Sequence, residues 1–175
     1  MYKRQQFTLS TFGLVWLVAA LGWNVLAAGL LVGIAQFVGA LGRLAVGALS
    51  DRAASRVGPL RVVAVLALVV MALLALAAGQ LPVAAAVVYV IASTVSVADN
   101  GLAFTAVAEA AGPFWAGRAL GAQNTGQFLA AAAVGPIVGA LIAAVGYPLA
   151  FLLVGLAPAV AIPLVPPRAA EADRL

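Results

Sequence analysis

The sequence lacks the residues from which most catalytic and metal sites are built. It contains no cysteine and no histidine, which excludes disulfides, thiolate and imidazole metal ligands, and the commonest general base. It also contains no nucleotide-binding loop and no nucleophile triad. We therefore expect a protein that is not an enzyme and that uses neither a cofactor nor a bound metal.

Charge is equally scarce. Charged residues make up 8% of the chain and hydrophobic residues 66%, and the mean hydropathy is +1.18. Soluble domains have about 25% charged and about 45–50% apolar residues, and a soluble chain of 175 residues could not bury this much apolar surface. We predict an integral membrane protein in contact with the lipid bilayer. The net charge of +4 is then explained by Lys and Arg residues that determine the membrane topology, and we expect no nucleic-acid partner.

Apolar runs long enough to cross a bilayer, about 20 residues each, are separated by glycine and proline turn signals. They do not alternate as the strands of a membrane barrel do. We predict an all-α, polytopic fold with a transmembrane unit over 7–167 and a cytoplasmic tail over 168–175. Its six predicted helices cover about 7–22, 26–49, 62–78, 83–108, 120–145 and 148–165.

The N-terminus differs from the rest of the chain. Its first five residues, MYKRQ, resemble a translated sequencing adapter, so we expect residues 1–6 to be a non-native or linker segment. The first predicted helix is short for a bilayer, which is consistent with a chain that continues further upstream. A signal peptide with cleavage near Ala20 is the alternative.

Cations predict the orientation. If the loops are numbered alternately, all nine Lys and Arg residues fall on one side, and the opposite loops carry no charge. The positive-inside rule then places both termini in the cytoplasm of a multi-pass protein of the inner (plasma) membrane.

Polar side chains within the predicted helices mark a candidate substrate or ion pathway, because such groups normally face a bundle interior or a watery cavity. Helices 3 and 6 carry none, so helices 1, 2, 4 and 5 are predicted to line the cavity. Simple interhelical hydrogen bonding is the alternative. The candidates are Gln36, Tyr89, Ser93, Ser96, Asp99, Asn100, Asn124 and Gln127.

Asp99 is the one carboxylate placed well inside a predicted helix. An intramembrane acid is a candidate proton or cation site, and a structural ion pair is the alternative. Arg43 is its predicted partner, and Glu109 is predicted to compete for the same Arg43. Glycines four residues apart predict close helix approach at three pairs: Gly29 and Gly33, Gly117 and Gly121, and Gly135 and Gly139.

The loop after the second helix carries a motif. Gly47-x-Leu49-x-Asp51-Arg52-x-x-x-Arg56 resembles the signature loop of the major facilitator superfamily, roughly G-x-L-x-D-R-x-G-R-R/K. Ala54 and Ser55 replace the family's Gly and Arg. The alternative is a loop that anchors topology through Arg52 and Arg56 alone.

The resemblance implies the second half of a twelve-helix transporter, whose missing N-terminal six-helix half would be a partner of this one. It also implies secondary active, ion-coupled transport of a small-molecule substrate by alternating access, with the loop biasing one access state. A non-transporting six-helix membrane scaffold or partner-binding protein is the alternative.

Overall fold

The computed structural model describes residues 3–78, 82–157 and 159, and its regular structure over these residues is entirely helical. Three of the helices are long and apolar enough to cross a membrane, namely Val25–Arg52, Val57–Ala77 and Pro82–Gly155. This confirms an all-α protein with membrane-spanning helices; the count of six spans and the twelve-helix bundle stay predictions. The elements are α1 (Lys3–Ala19), α2 (Val25–Arg52), α3 (Val57–Ala77) and α4 (Pro82–Gly155).

The α4 stretch is not one straight rod. Its 74 residues would extend roughly 110 Å at 1.5 Å per residue, far more than a bilayer core of about 30 Å. Gly112 (φ 72°, ψ 174°) and Gly146 (φ 78°, ψ 171°) interrupt the helical backbone in a conformation that essentially only glycine adopts. Pro113 and Pro148 follow these breaks and suit the start of a new helix. The helical segments are therefore 82–111, 113–145 and 147–155.

Several helix ends differ from the predicted ones. Residues 3–6 belong to α1, so the helix starts before residue 7; the foreign origin of residues 1–6 stays a prediction. Asn24 caps α2, since its side chain accepts a hydrogen bond of 2.8 Å from the Leu26 amide. The end of the predicted sixth helix and the tail over 168–175 lie outside the described residues.

Segment 82–111 is the centre of the bundle, and α1 packs on it through aromatic side chains. Trp16 is fully buried and lies 6.0 Å from the Tyr89 ring. It also makes an edge-on contact with Phe151, 5.3 Å between centroids, which ties segment 147–155 to the same cluster. Such aromatic pairs stabilise the folded protein by more than the burial of their apolar area alone would.

α2 approaches segment 82–111 through glycines that the sequence analysis did not select. A Cβ on Gly39 would lie 2.8 Å from Val97 Cγ2, and one on Gly42 would lie 2.8 Å from Thr94 Cγ2. Five of the six predicted glycines have open space instead. The predicted contact pairs were therefore wrong within the described residues, with Gly139 against Phe12, 3.6 Å from its Cζ, as the exception.

α3 has one buried and one exposed face. Its buried face includes Ala67, Met71 and Leu74, whereas Val62, Val65, Leu66, Val69, Leu73 and Leu76 are exposed at helical spacing. An apolar outer stripe of this kind is typical of a helix that faces lipid.

Candidate functional site

A cavity of about 440 Å³ lies between α1, α2 and segments 82–111 and 113–145. These correspond to the predicted helices 1, 2, 4 and 5, and neither α3 nor segment 147–155 lines the cavity among the described residues. Its wall combines amides, phenylalanines and a cation: Gln6, Phe7, Arg43, Asn100, Gly101, Phe104, Asn124, Gln127 and Phe128.

Three of the predicted pathway residues meet here. Asn100 comes from segment 82–111, and Asn124 and Gln127 come from segment 113–145. Asn100 is 9% exposed, and its Nδ2 donates a hydrogen bond of 3.2 Å to Gln6 Oε1. Its buried Oδ1 has no hydrogen-bond partner within the described part of the chain. A buried carbonyl oxygen in this state is costly unless a water or a solute donates to it.

The other predicted pathway residues do not line the cavity. The Tyr89 hydroxyl donates to the Leu9 carbonyl at 3.1 Å, and the Ser96 hydroxyl donates to the Ser93 carbonyl one turn earlier at 2.8 Å. Asp99 is buried, with 4% of its surface exposed. Gln36 lies on an exposed face of α2. Tyr89 and Ser96 thus bond to backbone carbonyls, Asp99 is buried, and Gln36 is exposed, and none of these residues lines the cavity.

The ion pair of Glu109 differs from the predicted one. Glu109 contacts Arg56 rather than Arg43: Arg56 Nη2 lies 3.2 Å from Glu109 Oε1, and Arg56 Nε donates to both carboxylate oxygens at 3.3 and 3.4 Å. Arg43 instead lines the cavity. The predicted competition between Glu109 and Asp99 for Arg43 is therefore replaced by a contact at the end of the bundle.

Arg56 joins this contact to the signature loop. Its Nη1 donates to Asp51 Oδ1 at 2.5 Å and to Ser50 Oγ at 3.0 Å, and the Ser50 hydroxyl donates to the Ser55 carbonyl at 2.8 Å. The hydrogen bond to Asp51, followed by the one to Glu109, raises the pKa of Arg56 above its usual value. The guanidinium therefore stays charged and holds two carboxylates at one end of the bundle.

Two features of this loop were not predicted from the sequence. Ser50 is fully buried although it stands in a charged stretch, and only its hydroxyl chemistry next to a turn hinted at this role. Ala54 has a φ of 44°, the left-handed region that favours glycine. It occupies the position where the signature loop carries glycine, which explains that preference physically. Gly47 and Arg52 belong to the last turns of α2.

The comparison with protein families agrees with this architecture. The model of the Major Facilitator Superfamily matches residues 5–133. The chain belongs to this superfamily. With three helices suited to crossing a membrane, it is an integral membrane protein.

Two curated relatives are similar to most of the chain. It is 48% identical over 158 residues to the uncharacterized MFS-type transporter Rv2994 of Mycobacterium tuberculosis strain ATCC 25618 / H37Rv, and equally to MT3072 of strain CDC 1551 / Oshkosh. Each alignment covers 90% of this chain and 36% of the relative. The chain thus spans about a third of the length of the curated relatives it matches. No solved structure matches significantly.

Proposed function

We propose that this chain is the second six-helix half of a secondary transporter that moves a small solute by alternating access. The observation that carries the proposal is the cavity of about 440 Å³, whose amides and Arg43 lie between helices with apolar outer faces. Polar groups at membrane depth are costly unless they serve a pathway or bind one another. The volume falls in the usual range of small-molecule sites, about 300–1,000 Å³.

The proposal includes a second half that completes the cavity. The relatives are longer than the alignment by nearly two thirds of their length, which is consistent with a further helical unit. Rocking of two such halves around a fixed site is the usual form of alternating access. The exposed face of α2 that carries Gln36 is a candidate for the seam between them.

Orientation is part of the same proposal. The loop of Asp51 to Arg56 and the Glu109 end of segment 82–111 meet at one end of the bundle, and we place this end in the cytoplasm of the plasma membrane. In a full-length protein from which any other cysteines have been removed, an impermeant thiol reagent should label the Ala53→Cys variant only from the cytoplasmic side. A cysteine at position 20 should react only from the opposite side.

Ion coupling is assigned to Asp99. It is a buried carboxylate on the central segment, adjacent in sequence to the cavity residue Asn100. Such acids in membrane helices commonly carry protons or cations.

Reconstitution of the full-length protein in proteoliposomes tests both solute transport and its coupling to protons through Asp99. With a panel of small anionic, neutral and cationic solutes, we expect one class to accumulate when a pH gradient is imposed. Asp99→Asn should abolish this accumulation and leave solute exchange intact, because a neutral amide binds no proton. Asp173→Asn, in the predicted tail, is the matched control.

The outcomes separate the two parts of the proposal. Normal gradient-driven uptake by the Asp99→Asn protein would remove Asp99 as the coupling acid. A folded wild-type protein that moves no solute of any class would contradict transport itself and favour a scaffold.

A further inference from the structure

The cavity wall carries charge of one sign only, among the described residues. Among its lining residues in the described part of the chain, Arg43 is the only charged one, and it is accompanied by side-chain amides and phenylalanines. We propose that this cavity selects an organic anion, a carboxylate carried on a planar apolar group with a hydrogen-bond donor. The inference rests on the proposed transport function and names the class of its solute.

Arg43 is the group that would select the charge. It stands about 13 Å before the end of α2 at Arg52, at a rise of 1.5 Å per residue. An arginine at this depth of an apolar helix must be neutralised by a counter-ion or solvated in a cavity. Its planar guanidinium binds a carboxylate through two parallel hydrogen bonds.

The nearby carboxylates are directed elsewhere. Asp51 and Glu109 both contact Arg56 at the end of the bundle. Asp99 is buried outside the cavity wall and has an interaction of its own. Arg43 is therefore the only charged side chain in the cavity wall among the described residues, and a lone cation in a binding site favours an anion over a cation.

The amides add a second requirement. Asn100 Oδ1 is buried without a hydrogen-bond partner in the residues the structure describes, whereas its Nδ2 is occupied by Gln6. The unpaired atom of this cavity residue is thus an acceptor, which matches a solute that carries a hydroxyl or N–H group. Asn124 and Gln127 stand across the cavity on segment 113–145 and can donate or accept.

The phenylalanines favour a solute whose main part is planar and apolar. Phe104 and Phe128 line the cavity from two different helical segments. Aromatic rings favour offset or edge-on contact with another planar apolar group. A fully hydrophilic anion such as inorganic phosphate would leave these rings without a partner.

Three probes with one ring and one hydroxyl separate these requirements by charge. They are 4-hydroxyphenylacetate (anion), 4-hydroxyphenylacetamide (neutral) and tyramine (cation). Binding is measured by titration calorimetry on the full-length protein in lipid nanodiscs. We expect the anion to bind best and the cation not to bind. Arg43→Gln should weaken binding of the anion by about tenfold or more, and Arg43→Lys should weaken it less, because the charge remains.

Arg118→Gln is the matched control. Arg118 lies over the Trp115 ring, 4.8 Å from its centroid, and does not line the cavity, so its loss should leave the affinity for the anion unchanged. Equal affinity of the wild-type and Arg43→Gln proteins for the anion would overturn the inference. Preference for tyramine, or binding of none of the three probes, would overturn it as well.

Failure of the inference is distinguishable from failure of the proposed function. A protein that accumulates a cationic solute in proteoliposomes, with no effect of Arg43→Gln, transports but does not select anions. A protein that binds the anionic probe through Arg43 but moves no solute has the site without transport.

Discussion

Arg56 at the start of α3 holds Glu109 at the end of segment 82–111, with 3.2 Å between Nη2 and Oε1. The same guanidinium holds Asp51 near the end of α2. One cation therefore gathers the ends of three helices at the same end of the bundle.

The Arg56–Glu109 contact should show as a small coupling free energy. Arg56→Gln and Glu109→Gln should each lower the free energy of unfolding of the full-length protein by under about 1 kcal/mol, because exposed ion pairs stabilise little. The double variant should cost less than the sum of the two. Thermal unfolding in detergent measures all three. Arg52→Gln is the control, and an equal loss in that variant would point to a general charge effect.

Asp51 should influence conformation more than stability. Its side chain is 69% exposed, so Asp51→Asn should leave the membrane level and thermal unfolding nearly unchanged. If the loop acts as a latch in one access state, a contact of about 1.4 kcal/mol shifts the populations tenfold. Cysteine accessibility on the two faces of the full-length protein measures this. Accessibility equal to wild type on both faces would leave the loop as a topology anchor.

Ala54 is a site where glycine should stabilise the protein. Its φ of 44° is unfavourable for a residue with a Cβ, and Ala54→Gly should raise the free energy of unfolding by up to about 1 kcal/mol. Ala53, with a φ of −79°, is the matched control, and Ala53→Gly should lower it by about 0.5 kcal/mol. Melting temperatures compare the two variants. A lower melting temperature for Ala54→Gly than for wild type would contradict the interpretation.

Gly39 should not tolerate a methyl group. The added Cβ would lie 2.8 Å from Val97 Cγ2, and Val97 is buried and nearly fixed in one rotamer by its helix. Gly39→Ala should destabilise the protein by about 1–3 kcal/mol, partly offset by the higher helix propensity of alanine. Gly33, with open space around it, is the control, and Gly33→Ala should be neutral or stabilising. Equal unfolding temperatures for the two variants would contradict the close approach.

The sequence predicted features that depend on local chemistry. The hydropathy of the chain required membrane helices, and the glycine and proline turn signals between its apolar runs include Gly112 and Gly146, where the long helical stretch breaks. The loop motif also holds Asp51 and Arg56 five residues apart, and these two residues form an ion pair in the structure. Each of these depends on residues close together in the chain, so a single sequence contains the information.

Features that depend on how helices rotate against one another were not predictable. Arg43 lies within α2 and Arg56 lies at the start of α3, and only the packing decides which of the two meets Glu109. Likewise, glycine spacing favoured Gly29 and Gly33, but the helix face that meets segment 82–111 carries Gly39 instead. At 3.6 residues per turn, Gly39 lies about 80° from Gly29 and about 120° from Gly33 around the axis of α2, and no local pattern encodes which of these faces meets segment 82–111.

The members of the aromatic cluster around Trp16 are synthesised at widely separated times. The Leu9 carbonyl and the Tyr89 hydroxyl that bonds to it are 80 residues apart. At about 5–20 residues per second, the ribosome needs roughly 4 to 16 s to span that interval, and Phe151 emerges later still. During that interval Trp16, which is fully buried in the folded protein, lacks both of its aromatic partners, Tyr89 and Phe151. Segment 147–155 therefore completes an aromatic cluster that α1 and segment 82–111 begin.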